Sequence, residues 1–393
     1  MNKKSLYNLF LFVNVWWSFW LFLSFRAITD LNTPHAVVYF QFLLLMLGFN
    51  TGYFLYFSFP KRLRTRNIPT IDVKYKLTLN ILNAVLVLIV FFLLFCLLLS
   101  GFFTTDFVSY HITVRSFSYG GALTGSKSID LLSKILVYPA LFTIALLLFS
   151  QTKKIINKYL LLLALFLYCL LWQVNYPLIF LFWAYFISVM FCREKFSYKN
   201  FVPLLIIVIA LLAAASLRFG TGKLSYAVIE HYIINYHLIG FSFYDYHFAN
   251  ESSILHDYSF GRSSIGFIEQ LFDLLFRAAS LDLSAASFEN RDYNMKPVPI
   301  GNGFEGNAFG TILFSFYRDF SYSGIIIGSV LYGVALCASF CKSKTSLRAR
   351  AIFIMLTYGW LTGMMVSPLE QGYFWFSLIC ILGSKLLNIK GKL

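Results

Sequence analysis

The sequence predicts an all-α polytopic membrane protein of about ten transmembrane helices with one large external loop. Three observations carry that prediction. Of 393 residues, 59% are hydrophobic and only 12% charged, about half the charged share of a soluble domain. Apolar runs long enough to cross roughly 30 Å of hydrocarbon recur along the chain. The cations are also spread unevenly around those runs.

The runs fall at 8–25, 36–58, 77–102, 131–150, 159–175, 177–192 and 201–217, then at 323–341, 351–367 and 373–388. A tight turn over Gln173–Pro177 parts the fifth from the sixth. The expected organisation is transmembrane helices over 1–217, a large loop over 218–322, and transmembrane helices over 323–393. If Lys3 and Lys4 lie inside, then 60–76, 151–158, 193–200, 342–350 and the C-terminal tail share their side. These segments hold 21 of the 32 Lys and Arg residues but only Asp72 and Glu194 as acids; the other side has 11 bases and 15 acids. Positive charge gathers on cytoplasmic loops, so both termini are expected inside and the long loop outside. The net charge of +15 is then a topology signal, and no nucleic-acid partner is expected. Met1–Phe25 lacks a small-residue cleavage site after Ser24 and reads as a retained first helix. Cys96, Cys169, Cys192, Cys337, Cys341 and Cys380 all lie in or at the ends of apolar runs. That placement argues against a disulfide framework or a cysteine-ligated metal outside the membrane.

Ahead of the main loop, Thr104–Asp130 forms a shorter external segment. Inside the main loop, Ser263–Leu281 reads as an amphipathic helix lying at the membrane surface. Glu269, Asp273 and Arg277 recur there every four residues, with Asp273 ahead of Arg277 in the favourable order. Over 306–320, Asn307, Thr311, Ser315 and Arg318 form a polar stripe beside Phe309, Ile312, Leu313, Phe316 and Phe320. At about 1.5 Å per residue this segment is short for a crossing. A crossing would also carry Lys342, Lys344, Arg348 and Arg350 outside, against the charge rule. A helix that dips in from outside or packs over the bundle is expected, breaking at Ser321–Gly324 before the next span.

Arginine is the informative residue type. Arg26, Arg115, Arg218, Arg262, Arg277, Arg291 and Arg318 lie on the external side. A guanidinium matches phosphate oxygens bidentately, although an interfacial arginine also simply reaches lipid headgroups. Arg218, ahead of Gly220 and Gly222, and Arg318, on an otherwise apolar helix, favour anion binding. Among the external carboxylates, Asp319 and Glu305 flank the 306–320 helix and rank first as proton-transfer groups. His35, His111, His231, His237, His247 and His256 fit no tight zinc spacing, and surface positions are expected for them. His256, beside Asp257, is the candidate for orienting a substrate. No Asp-x-Asp, P-loop or dinucleotide fingerprint occurs, so neither metal nor cofactor is expected. Tyrosines crowd the loop, including Tyr293, Tyr317 and the run Tyr244-Asp-Tyr-His247. Their rings suit sugars, which are apolar on the face and polar at the rim, and also suit an interfacial aromatic belt.

The stretch from Asn307 through Tyr317-Arg-Asp319-Phe320 to Gly324 and Gly328 resembles the signature of bacterial O-antigen polymerases, the Wzy class. Tyr317, Asp319 and Phe320 fit a Tyr-x-Asp-Phe-Gly-x-x-Gly pattern. The chain departs from it at Ser321, with glycine at Gly324. The plan of spans around one late loop is also similar. The resemblance implies a metal-independent, GT-C-like glycosyltransferase of the bacterial inner membrane, active on the periplasmic face and without a cofactor. Its partners would be an undecaprenyl-diphosphate-linked glycan donor, a lipid-linked acceptor and membrane lipids, with a chain-length regulator as a further candidate. On this reading Arg218, Arg262, Arg277, Arg291 and Arg318 hold substrate with Asn307, Tyr293, Tyr317 and His256, and arginines offset charge on the leaving diphosphate. Asp319 or Glu305 takes the acceptor proton. O-antigen ligase is the nearest alternative. A lipid-linked oligosaccharide flippase or other transporter is the second, for which polarity spread through many spans and short loops would be expected.

Overall fold

A backbone in hydrocarbon must satisfy its own N–H and C=O groups, and a helix does so within one segment. In the computed structural model the described residues are 3–58, 73–117, 122–150, 158–192, 230–266, 289–290, 293–307, 310–343 and 346–383, with 202, 205–206, 208–209, 212 and 269. Their helices are α1 (Lys3–Phe25), α2 (Ala36–Phe57), α3 (Val73–Leu99), α4 (Phe107–Phe117), α5 (Lys127–Phe149), α6 (Lys158–Trp172) and α7 (Tyr176–Cys192). Then come α8 (Tyr236–Ala249), α9 (Ile312–Ser343), α10 (Leu347–Thr362) and α11 (Gly372–Gly383). Five stretches are long and apolar enough to cross a membrane: Ser5–Phe25, Ala36–Phe57, Ile81–Leu99, Lys127–Phe149 and Ile312–Ser343. They suit a multi-pass membrane protein. Shorter apolar helices, Tyr159–Trp172, Tyr176–Cys192 and Gly372–Gly383, fall on the fifth, sixth and tenth expected runs. Most of the seventh run, over 201–217, lies outside the described residues.

Two details differ from the all-helical expectation. Residues Val298–Gly301 (β1) and Phe304–Gly306 (β2) form an antiparallel hairpin, and Gly301 also bridges to Leu31. Val298 and Ile300 point inward and Pro299 outward. Asn302-Gly303 makes the turn, with Gly303 at φ +74°, a conformation that glycine adopts without steric cost. The helix expected over 306–320 therefore starts only at Ile312.

The chain groups into two compact units. The first comprises 1–64, 230–341 and 359–375. In α1, Leu9, Val13 and Trp17 are buried while Leu11, Val15, Phe19 and Phe22 remain exposed, a stripe suited to lipid. Asn14 and Asn50 exchange amide hydrogen bonds of 3.0 and 2.9 Å between α1 and α2, which leaves neither group unpaired among apolar neighbours. Trp17 Nε1 donates to the Trp360 carbonyl at 3.1 Å, and the Trp360 ring stacks on Phe49 at 4.0 Å. Glycine sets how closely α2 and α9 approach. A methyl on Gly52 would lie 2.0 Å from the Val330 carbonyl oxygen, and one on Gly333 would lie 2.1 Å from that of Phe49.

Helix α9 is two helices joined at an elbow. Phe320 (φ −149°, ψ 30°) and Ser321 (φ 55°, ψ −138°) leave helical geometry, so the expected break sits at the start of Ser321–Gly324. The arm before it is buried on every side from Thr311 to Asp319. It folds back so tightly that a methyl on Gly324 would lie 2.0 Å from the Phe316 carbonyl oxygen, and one on Gly328 2.5 Å from the Phe316 ring. Ser321 holds a left-handed backbone that favours glycine.

The second unit comprises 65–229, 342–358 and 376–393. Phe142 stacks on Phe180 at 3.8 Å, and Tyr358 meets the Phe180 ring edge-on at 5.1 Å. Asp130 accepts from the Leu123 and Thr124 amides and from Thr124 Oγ1, which offsets the cost of burying a carboxylate. Buried Arg350 donates to the Ser150 carbonyl at 2.7 Å and the Ser343 carbonyl at 3.0 Å, capping the ends of α5 and α9.

Two substitutions test these close contacts by thermal unfolding of the purified protein in detergent. Gly52→Ala should destabilise by about 1–3 kcal/mol through overpacking. Ser321→Gly should stabilise by about 1 kcal/mol through relief of the backbone. An unchanged melting point for both variants would contradict the helix spacing and the elbow.

Candidate functional site

The arm of α9 brings its polar face into the first unit, where a guanidinium cannot stay unpaired. Arg318 is only 3% exposed. Its Nη2 donates to Glu289 Oε2 at 2.7 Å, its Nη1 to Asn290 Oδ1, and its Nε to the Asp257 carbonyl at 3.3 Å. Asn290 extends the network by donating to Ser263 Oγ at 2.6 Å and to Glu370 Oε1 at 2.7 Å. One turn before Arg318, Ser315 Oγ lies 2.7 Å from the same Glu370 oxygen and 2.6 Å from Ser367 Oγ. The cluster thus joins the arm to residues 257–264, to residues 289–290 and to the short turn Pro368–Glu370 between α10 and α11.

Glu370 is the residue that sequence reasoning missed. Burial pushes its carboxyl from 4.5 up to about 7. Hydrogen bonds from Ser315 and Asn290 and the Arg318 charge pull the other way, while Asp319 adds to the rise. A carboxyl that exchanges its proton near neutrality is suited to general acid–base work. Asn294 packs against Gly310 beside Glu370: a methyl on Gly310 would lie 2.3 Å from Asn294 Nδ2 and 3.5 Å from Glu370 Oε2. The sequence signal was slight: one acid in Ser367-Pro-Leu-Glu370, between two apolar runs.

The expected catalytic acids separate in space. Asp319 is buried and serves as a cap. Its Oδ1 accepts from Ser259 Oγ at 2.6 Å and the Ser263 amide at 2.8 Å, and its Oδ2 accepts from the Ser264 amide at 3.0 Å. Those amides begin the segment expected to form the amphipathic helix, most of which lies outside the described residues. Glu305 is exposed on β2 and makes no described contact with this cluster.

Of the expected substrate-binding residues, Arg218, Arg277 and Arg291 lie outside the described residues. Half-exposed Arg262 pairs with Glu269 through Nε. Asn307 falls before the arm and donates to the Met295 carbonyl at 3.2 Å. Tyr317 is buried against Tyr322, Phe248 and His256. His256 Nε2 sits 3.1 Å from the Phe248 carbonyl, so one ring nitrogen already has a backbone partner. Tyr293 lies against His247, centroid to centroid 5.0 Å.

The surface placement expected of the histidines fails for His247. It lies on α8, which is buried in the unit rather than spread over its exterior. His247 is 1% exposed, with Nδ1 3.3 Å from Ser253 Oγ and Nε2 without a hydrogen-bond partner. Burial lowers its pKa to about 4, so the ring stays neutral. Tyr244, expected to face sugar, is also fully buried. Among the described residues no three His, Cys, Asp or Glu side chains converge to hold a metal ion. The chain matches no protein-family model, no characterised protein and no solved structure.

The Glu370 environment has a pH signature of definite sign. Between about pH 4.5 and about pH 7 the unfolded chain ionises Glu370 while the folded chain keeps its proton, so stability falls as pH rises through that window. Glu370→Gln keeps an acceptor oxygen for Asn290 and Ser315 but cannot titrate. Thermal unfolding across that window should show the wild type losing more stability than the variant. Parallel curves would refute the raised proton affinity of Glu370.

Proposed function

We propose that the chain is a metal-independent, GT-C-like glycosyltransferase of the bacterial inner membrane. It polymerises undecaprenyl-diphosphate-linked repeat units into O-antigen or a related surface polysaccharide on the periplasmic face. The observation that carries this reading is the Glu370 carboxyl, poised near neutrality and anchored through Asn290 and Ser315 to the Tyr317-Arg-Asp319-Phe320 arm. That arm is also the stretch that resembles the polymerase signature.

In the proposed step the acceptor hydroxyl oxygen attacks the anomeric carbon of the donor and its proton passes to Glu370. The anomeric C–O bond breaks, and its electron pair leaves with undecaprenyl diphosphate. Arg318 acts as a positioning residue, since its donors are engaged by Glu289, Asn290 and Asp257. Binding of the diphosphate is assigned as a group to the external arginines Arg218, Arg262, Arg277 and Arg291. A positioned acid or base contributes about 10²–10⁴-fold.

Deletion of the gene, examined by lipopolysaccharide gel, should leave antigen of a single repeat unit. Complete loss of attached antigen would make the protein a ligase, and build-up of the lipid-linked unit on the cytoplasmic side would make it a flippase. Complementation with Glu370→Gln should cut chain extension about 10²–10⁴-fold while the protein remains in the membrane. A normal ladder of chain lengths from that variant would remove Glu370 from the mechanism.

A further inference from the structure

A separate cavity of about 310 Å³ opens between the α1–α2 connection and α8, lined among others by Asn32, His35, Asp245, Tyr246 and Asn250. It lies wholly in the first unit, and none of the residues described above as the Glu370 cluster lines it. Its walls are built rather than incidental. Asp245 is 7% exposed, and its Oδ1 accepts from both the backbone amide and Nδ1 of His35, each at 2.9 Å. The Asn32 carbonyl is fixed by Ser242 Oγ at 2.6 Å, and the Asn32 amide donates to the Ile300 carbonyl at 2.7 Å. The hairpin and α8 therefore both brace the connection that carries His35.

The chemistry of this lining is selective. A carboxylate only accepts, so Nδ1 of His35 is the donor to Asp245 and Nε2 is the ring's remaining polar atom. The His35 side chain is 71% exposed, which puts that nitrogen within reach of a ligand. The Asn32 side chain, the Asn250 amide nitrogen, the Tyr246 phenol and the His35 imidazole offer polar groups to one cavity, while Asn250 Oδ1 is taken by Ser252; the set suits a ring of hydroxyls. No Lys or Arg lines the cavity, which disfavours phosphate. The single carboxylate is already paired, which disfavours a cation. The volume is at the low end of the roughly 300–1,000 Å³ typical of ligand pockets, which suits a single sugar ring.

We infer that the His35–Asp245 cavity is a binding subsite for a single neutral pyranose ring, held through its hydroxyls, at the acceptor side of the enzyme. The assignment to the acceptor rests on the polymerase reading. Asp245 is a positioning residue that orients His35, and His35 is the group that touches the sugar.

The test uses full-length protein in lipid nanodiscs with methyl pyranosides of glucose, galactose, mannose and N-acetylglucosamine, read by saturation-transfer NMR and titration. At least one pyranoside should bind the wild type, and His35→Ala and Asp245→Asn should each weaken it at least tenfold. The exposure of the His35 side chain makes the first variant compatible with folding. No binding of any pyranoside, or equal binding by both cavity variants, overturns the subsite. The polymerase reading fails separately: sugar binding that depends on His35, together with an unaltered antigen ladder in the deletion strain, would keep the pocket and remove the function.

Discussion

A buried guanidinium organises the first unit. Arg318 sits on an arm whose residues from Thr311 to Asp319 are all buried, and a charge there is stable only when its hydrogen-bonding directions are met. The acceptors come from Asp257, Glu289 and Asn290, positions far from it in sequence. Asn290 then reaches Glu370 and Ser263. One ionised side chain thereby fixes where several loop segments and the α10–α11 turn must meet.

The two acids around that guanidinium have different surroundings, and the difference separates their roles. Asp319 has both oxygens occupied, two of its three donors being backbone amides. Among the described residues, Glu370 receives its side-chain donors on one oxygen. Pairs of carboxyls set apart by environment are a common basis for dividing structural from proton-transfer work. On the proposed reading, Asp319 holds the loop to the arm while Glu370 exchanges the proton.

The apolar helices were legible in the sequence because length and hydropathy decide them locally. Arg318 stood out as a charge on an otherwise apolar helix, but its pairing with Glu289, Asn290 and Asp257 depends on the fold; the break near Ser321 was legible. The hairpin was less legible, because its strands are only four and three residues long and their alternation around Asn302-Gly303 is too short to stand out from the loop. Helix α8 was misjudged because its Asp, His and Tyr residues signal a surface by composition. Their burial depends on tertiary partners, as when His35 joins Asp245 across 210 positions. Glu370 was hidden for the same reason, since its altered proton affinity comes from neighbours that only the folded chain supplies.

The elbow in α9 also fixes a count. Phe316 must pack on Gly324 and Gly328 while Arg318, on the same arm, faces Glu289 and Asn290. A helix turns about 100° per residue at 3.6 residues per turn. Phe316 and Arg318 are two residues apart on one helical arm, so they point about 200° apart, and the arm meets the glycines on one side and the loop partners on the other. The spacing between Phe316 and Arg318 therefore behaves as a ruler: an insertion between them would turn one of the two contacts away from its partner.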